Sequence, residues 1–323
     1  MKKYDLYFAA CKEEGGIYHY VWQDDQLLPV GFLPLDRPMY IIREGEQLHV
    51  LLRAPFAGRN DSGLVSLQIG KDGELALTSD EIVSTRGIVA CHLCAFHGNI
   101  YAANYLSGSV FATNGHLDTH SGRGVDPARQ EAPHTHCVIP TPDGRCLVST
   151  DLGLDTVFVY DELLHIVDTT KVPEGHGPRH LAFSEDGKFL FCINELKSTV
   201  SVFHYENGQL EYRDTVSALP EPDEQSFAAA IRVRGNRIYV SHRGRDAISC
   251  LTFENDDLKL LYTSPCGGAS PRDFIIVEDV IFCTNEVSNE VSVLEIHEDR
   301  LSDTGIRIPV PAPLCALAIE KRY

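Results

Sequence analysis

The sequence predicts an all-β protein: a seven-bladed β-propeller of four-stranded antiparallel blades, in one domain spanning residues 1–323. Three observations carry this expectation. A small polar turn followed by two alternating apolar residues recurs around Ile17, Val65, Val110, Val157, Val200, Ile248 and Val291, so that successive copies stand 48, 45, 47, 43, 48 and 43 residues apart. A period of this size, carried by short strands, fits one propeller blade per repeat. Alternating apolar and polar residues fill the intervals, with Asp186-Gly187 and Asn207-Gly208 as two-residue hairpin signals and no helical periodicity. The chain ends complement each other. LCALAIEKRY from Leu314 reads as an additional innermost strand, whereas DLYFAACKEEGGIYHYVW from Asp5 supplies second and third strands with no innermost one before them. Pairing the two would close the ring and remove its open edges.

Within a copy the order is constant. From Gly177 to Val216 an innermost strand leads through Asp-Gly to a second strand ending in Asn194, then the repeated turn, a third strand and a variable fourth. Two stretches rich in Pro and Gly, Ser121 to His136 and Ser217 to Phe227, interrupt the repeat between blades and run into innermost strands. Long loops at one fixed stage of a rigid scaffold are where binding sites are shaped.

Composition narrows the function. A net charge of −18 repels nucleic acid and anionic membrane surfaces, so neither is expected as a partner. No apolar run reaches the length of a membrane helix, and MKKYDLYFAACKEE turns acidic before a signal-peptide core is established, which points to the cytoplasm. Most of the ten cysteines sit in strand-like segments such as FLFCIN and VIFCTN, as small buried hydrophobes. Cys91 and Cys94 form the one C-x-x-C, with no second ligand pair at zinc spacing and side chains on opposite faces of a strand. No metal and no cofactor are expected.

The repeat also aligns the chain with itself. Eight residues before the hairpin glycines Gly144, Gly187 and Gly235 stand His136, Arg179 and Phe227, and aligning PRDF with PRHL places Arg272 at the same level. A second level follows the residue ending the second strand, in Asn104-Tyr105, Asp151-Leu152, Asn194-Glu195, His242-Arg243 and Asn285-Glu286. The Asn or Asp is read as a turn residue bonding the backbone, and the residue after it is free to vary. The two levels together offer His136, Arg179, Arg272, Glu195, Arg243, Glu286 and Tyr105 around a common axis as candidates for catalysis or substrate binding, with His242 beside Arg243. Guanidiniums hold carboxylate or phosphate and stabilise a developing oxyanion, while histidine or glutamate can take a proton from water. The plainer alternative is that arginines at strand ends pair with glutamates of neighbouring blades. His134 is expected to be solvated, His180 to be a structural hydrogen-bonded residue, and His92 to have no supporting partners.

The runs HTHCVIPTPDGRCLVSTDLGLDTVFVY from His134 and GHGPRHLAFSEDGKFLFCINELKSTVSVF from Gly175 resemble the lactonase family of seven-bladed propellers, as do AANYLSGSV, YVSHRGRDAIS and SPRDFIIVEDVIFCTNEVSNEV. That family includes propeller-type 6-phosphogluconolactonases and fungal carboxymuconate-lactonizing enzymes. The resemblance implies catalytic and substrate-binding roles for the histidine ending H-x-H, the arginine of G-P-R-H, the glutamate of N-E-L and the arginine of R-G-x-D. These are His136, Arg179, Glu195 and Arg243. The chain departs from the family pattern at FAACKEEGGIYHY, where a Gly-Thr-Tyr-Thr stretch is usual, and at His242, where Asn usually precedes R-G. The implied activity is metal-independent hydrolysis of a small anionic sugar lactone, 6-phosphoglucono-δ-lactone foremost, by a monomer or weak homodimer. Lactonisation of a muconate-like dicarboxylate, or a non-catalytic propeller binding a ligand or protein, are the alternative readings.

Overall fold

The computed structural model of the chain describes residues 2–56 and 58–321. Seven antiparallel sheets follow one another around an axis, six of four strands and one of five. Six of the seven repeat anchors occupy the second position of a third strand, for example Val157 in Thr156–Tyr160 and Val200 in Thr199–Glu206, and all six are fully buried. Blade two differs by one residue. There Leu64 pairs with Leu51, as Val110 pairs with Ala103 and Val200 with Ile193, so Leu64 and not Val65 is the equivalent position. This blade also has the fifth strand, Val83–Ser84, which pairs with Gly63–Ile69 beside Leu75–Leu77.

Blade one is built from both ends of the chain. Its innermost strand, Pro313–Glu320, pairs with Lys3–Ala10 from Tyr4↔Glu320 to Ala10↔Pro313. The core is divided into seven apolar wedges, one between each pair of neighbouring blades. Blades four and five, for instance, share Val148, Val157, Val159, Leu181, Leu190, Cys192 and Phe203, all buried. All ten cysteines are free thiols, and Cys91 and Cys94 fall in different wedges.

Two rings of residues at one end of the axis position the site. The innermost strands Pro313–Glu320, Pro38–Glu44, Pro178–Phe183 and Pro271–Val277 begin with proline, which a strand tolerates at its first position or on an unpaired edge. Immediately after the first position, or after the second, Ala228, in blade six, the register of every innermost strand slips by a β-bulge. Bulges re-aim side chains, and those swung inward by these seven are Leu314, Met39, Cys91, His136, Arg179, Ala229 and Arg272. Ala229, not Phe227, is thus the counterpart of Arg179. The hairpin of that blade has a two-residue turn, Gly235-Asn236, between Phe227–Arg234 and Arg237–Arg243, so counting back from the glycine overshoots.

The second ring consists of the residue following the last pair of each second strand: Cys11, Arg53, Tyr105, Leu152, Glu195, Arg243 and Glu286. The preceding Asn or Asp residues hold the turns. Asn104 Nδ2 donates to Thr85 O and Ser109 Oγ, Asn194 Nδ2 to Thr199 Oγ1 and Ser201 Oγ, and Asp151 Oδ1 accepts from the backbone N–H groups of His134 and Leu154.

Closure makes a testable demand. Ending the chain at Val310 strips blade one of Leu314, Cys315, Ala316 and Ile319, all buried. Loss of the two large side chains alone costs on the order of 5 kcal/mol, against a total stability of roughly 5–15 kcal/mol. Truncation should abolish the cooperative urea transition and produce aggregates in size-exclusion chromatography.

Candidate active site

The two rings enclose a cavity of about 180 Å³, room for a small molecule. The first ring contributes Met39, Cys91, His136, Arg179 and Arg272, the second Arg53, Tyr105, Glu195 and Arg243, and loops add Val89 and Arg129.

Glu195 anchors one side. Its Oε1 accepts from Arg129 Nη2 at 2.6 Å, and its Oε2 meets Arg179 Nη1 at 2.6 Å and Arg243 Nη2 at 3.1 Å. Burial pushes its carboxyl toward the neutral form, but Arg243, Arg179, His136 and Arg129 together hold it well below the usual carboxylate range. Arg179 donates from Nε to Ala229 O at 2.8 Å and from Nη1 both to Glu195 and to His136 Nε2, the latter at 2.6 Å. Its Nη2 has no partner among the described residues. A guanidinium only donates, so Nε2 of His136 is the accepting nitrogen. The ring proton then lies on Nδ1, 3.6 Å from Cys91 Sγ. Burial, reinforced by Arg179, keeps this imidazole neutral well below the usual histidine range.

The opposite side is less balanced. Arg272 Nη1 reaches Glu286 Oε2 at 3.6 Å, and Arg53 has no ion-pair partner among the described residues. The Nε atoms of Arg243 and Arg272 are buried without a hydrogen bond. Burial, with the like charges of Arg179 and Arg243, pushes Arg272 down to about 9. Arg53, Arg129, Arg179, Arg243 and Arg272 therefore face only Glu195 and Glu286, in a chain of net charge −18. A concave, partly desolvated excess of guanidiniums favours an anion.

This arrangement has relatives. The lactonase 7-bladed β-propeller family model matches residues 5–318. The chain belongs to this lactonase family. An uncharacterised protein of Staphylococcus aureus strain N315 is 29% identical over 325 residues, covering 92% of each chain. Two solved structures, both provisionally named 6-phosphogluconolactonases, are similar at 26% identity. The Bacteroides fragilis protein gives a TM-score of 0.88 with 98% of each chain covered, and the Bacteroides uniformis protein 0.90 with 99% of this chain and 100% of that one.

In this lactonase-family chain the four residues implied by the resemblance, His136, Arg179, Glu195 and Arg243, converge on one cavity, with Tyr105 and Arg272 on its wall. Glu286 stands behind Arg272 as its ion-pair partner. His242 does not reach the cavity. It fills the slot that Asn occupies in sister blades, fully buried, with neither ring nitrogen hydrogen-bonded. His134 corrects the expectation of a solvated residue: the loop before it folds over the cavity, and its ring stacks on Tyr105 with centroids 4.5 Å apart and Nδ1 3.2 Å from Tyr105 O.

Two cavity arginines escaped the self-alignment. Arg53 is the second-ring residue of blade two, hidden because Leu52 stands where Asn or Asp marks most other strand ends. Arg129 arrives from the Ser121–His136 loop, whose path is fixed by Gln130: Oε1 accepts from the N–H groups of Val125 and Asp126, and Nε2 donates to Leu152 O. Two arginines in that loop of an acidic chain were the available signal.

Beneath the cavity the axis is filled by rings in sequence: His136 and His180 at 5.3 Å, His180 and His92 at 5.4 Å, His92 and Tyr40 at 4.3 Å. His92 thus has ring partners on both sides. His180 is structural, but its Nε2 is buried without a hydrogen bond. Burial, followed by nearby positive charge, holds His136 and His180 far below their ordinary value and His92 and His242 at about 3. Depressed folded-state values mean that the unfolded chain binds more protons below pH 6.5. Stability should therefore be full above pH 6.5 and fall between 6.5 and 4.5, by about 1.4 kcal/mol per pH unit for each such histidine. Urea unfolding as a function of pH should show this, and His180→Gln should flatten the slope by about one proton.

Proposed function

We propose that this protein hydrolyses a small anionic lactone, with 6-phosphoglucono-δ-lactone as the best-fitting substrate. The observation that carries the reading is a single guanidinium, Arg179, bridging a neutral imidazole and an ionised carboxylate inside a cavity with a surplus of buried positive charge. The family membership and the names of the Bacteroides structures support it.

The geometry supports different tasks for the two proton-acceptor candidates. Both oxygens of Glu195 are occupied by guanidiniums, which makes it a poor base and a good anchor. His136 is the better base, since the one lone pair of its Nε2 is held by Arg179 Nη1 alone and is released to water when that guanidinium turns to the oxyanion. As the lactone carbonyl becomes tetrahedral, the partner-free Nη2 of Arg179 and the guanidinium of Arg243 meet the oxyanion. Nε2 then accepts a proton from the attacking water, and Glu195 stabilises the imidazolium. When the ring C–O bond breaks, that proton passes to the leaving oxygen, and the new carboxylic acid ionises to solvent. One water is consumed and the hydroxy acid is the product.

Purified protein should accelerate 6-phosphoglucono-δ-lactone hydrolysis above its spontaneous background, and His136→Asn or Arg179→Met should lower kcat/KM about 100-fold or more. Unchanged rates in variants that keep the native thermal transition would sink the reading.

The base must be unprotonated, and its proton affinity is depressed. The background-corrected kcat/KM should therefore stay level as pH falls through 6.5 and decline only in more acidic solution. An acid limb centred at or above 6.5 would remove His136 from the role of base.

A further inference from the structure

The cavity is chemically two-sided. Blades three to six supply Tyr105, Glu195, Arg243, His136 and Arg179, whose charges are tied to one another. Blade one lies opposite and brings only Cys11 and Leu314 to the two rings, so it adds no charge. Its neighbours on either side each place an arginine on the wall: Arg53 from blade two and Arg272 from blade seven. Cys11, between them, is close enough for the charges of both to act on its thiol. Arg53 has no ion-pair partner among the described residues, and Arg272 keeps a buried Nε with no acceptor and only a 3.6 Å contact to Glu286. Two guanidiniums with unused donors flanking an uncharged blade form a cradle for a multi-oxygen anion.

We propose that Arg53 and Arg272 form a second anion subsite, separate from the Glu195 cluster, which holds the phosphate or carboxylate group that the substrate carries away from its reacting carbonyl. The proposal rests on the lactone-hydrolase reading for the identity of the substrate, but the subsite itself does not depend on turnover. Arg53 is the specificity-determining residue of the pair, since Arg272 already has a carboxylate beside it. It follows that the departure of this chain from its family at FAACKEEGGIYHY lies on the wall that faces the anionic end of the substrate.

Arg53→Met tests this by two readouts. Calorimetric titration of the native protein with inorganic phosphate and, in a second arm, with malonate identifies which oxyanion is held. Binding of at least one by the native protein, weakened roughly 30-fold or more in Arg53→Met with an unchanged thermal transition, is the expected result, the size of one lost charge-assisted hydrogen bond. Binding of neither anion, or equal binding by both proteins, overturns the subsite. The kinetic arm compares 6-phosphoglucono-δ-lactone with unsubstituted glucono-δ-lactone. The substitution should lower the ratio of their kcat/KM values roughly 30-fold, mainly through KM for the phosphorylated lactone. A ratio within twofold of the native one overturns the specificity role. Native protein that binds phosphate through Arg53 but hydrolyses neither lactone would refute the lactone-hydrolase reading while leaving the subsite standing.

Discussion

Seven strands that meet around one axis each have an edge with no partner, and the chemistry at the end of the channel follows from how that edge is handled. Continuous pairing from strand start to strand end would leave the side chains of the innermost strands in simple alternation, every second one buried in a wedge between blades. The bulge after each strand start breaks the alternation at one height in all seven blades. One residue per blade is thereby turned to the axis without disturbing the pairs below it. Proline at the start of four of these strands is compatible with an unpaired edge, and the apolar wedges keep the blades at a fixed angle.

A ring of seven inward side chains would be easy to fill with apolar residues, and Leu314, Met39 and Ala229 do so on their blades. At Arg179 and Arg272 the protein places charge instead, and charge out of water needs partners. Glu195 solves this for three arginines at once, and in doing so orients Arg179 toward His136 and draws Arg129 in from a loop. The cost is a histidine held neutral well below its ordinary range and a far wall where Glu286 only partly matches the guanidiniums.

Features that recur in every blade could be read from the chain, because burial imposes the same apolar alternation seven times and the turn that follows each second strand needs the same small residues. Closure could be read for the same reason: an innermost strand was surplus at one end and missing at the other. The catalytic candidates were visible as exceptions to that regularity. Where a blade itself departs from the regularity, the reading slipped. Leu52 in place of Asn concealed Arg53, the one-residue offset at Leu64 displaced the frame of blade two, and a shorter hairpin turned Ala229 into Phe227. Arg129 and the stacking of His134 on Tyr105 depend on a loop folding over the cavity, a tertiary contact that no local pattern encodes.

The second ring lies at the ends of the second strands, at the rim of the wedges that hold the blades together, with Cys11 and Tyr105 packed against one of them. Equivalent places on one scaffold thus carry thiol, guanidinium, phenol, carboxylate and leucine around a single circumference. The propeller separates inheritance of shape from inheritance of recognition. A lineage can exchange the guest by single substitutions at the ring and keep its architecture intact.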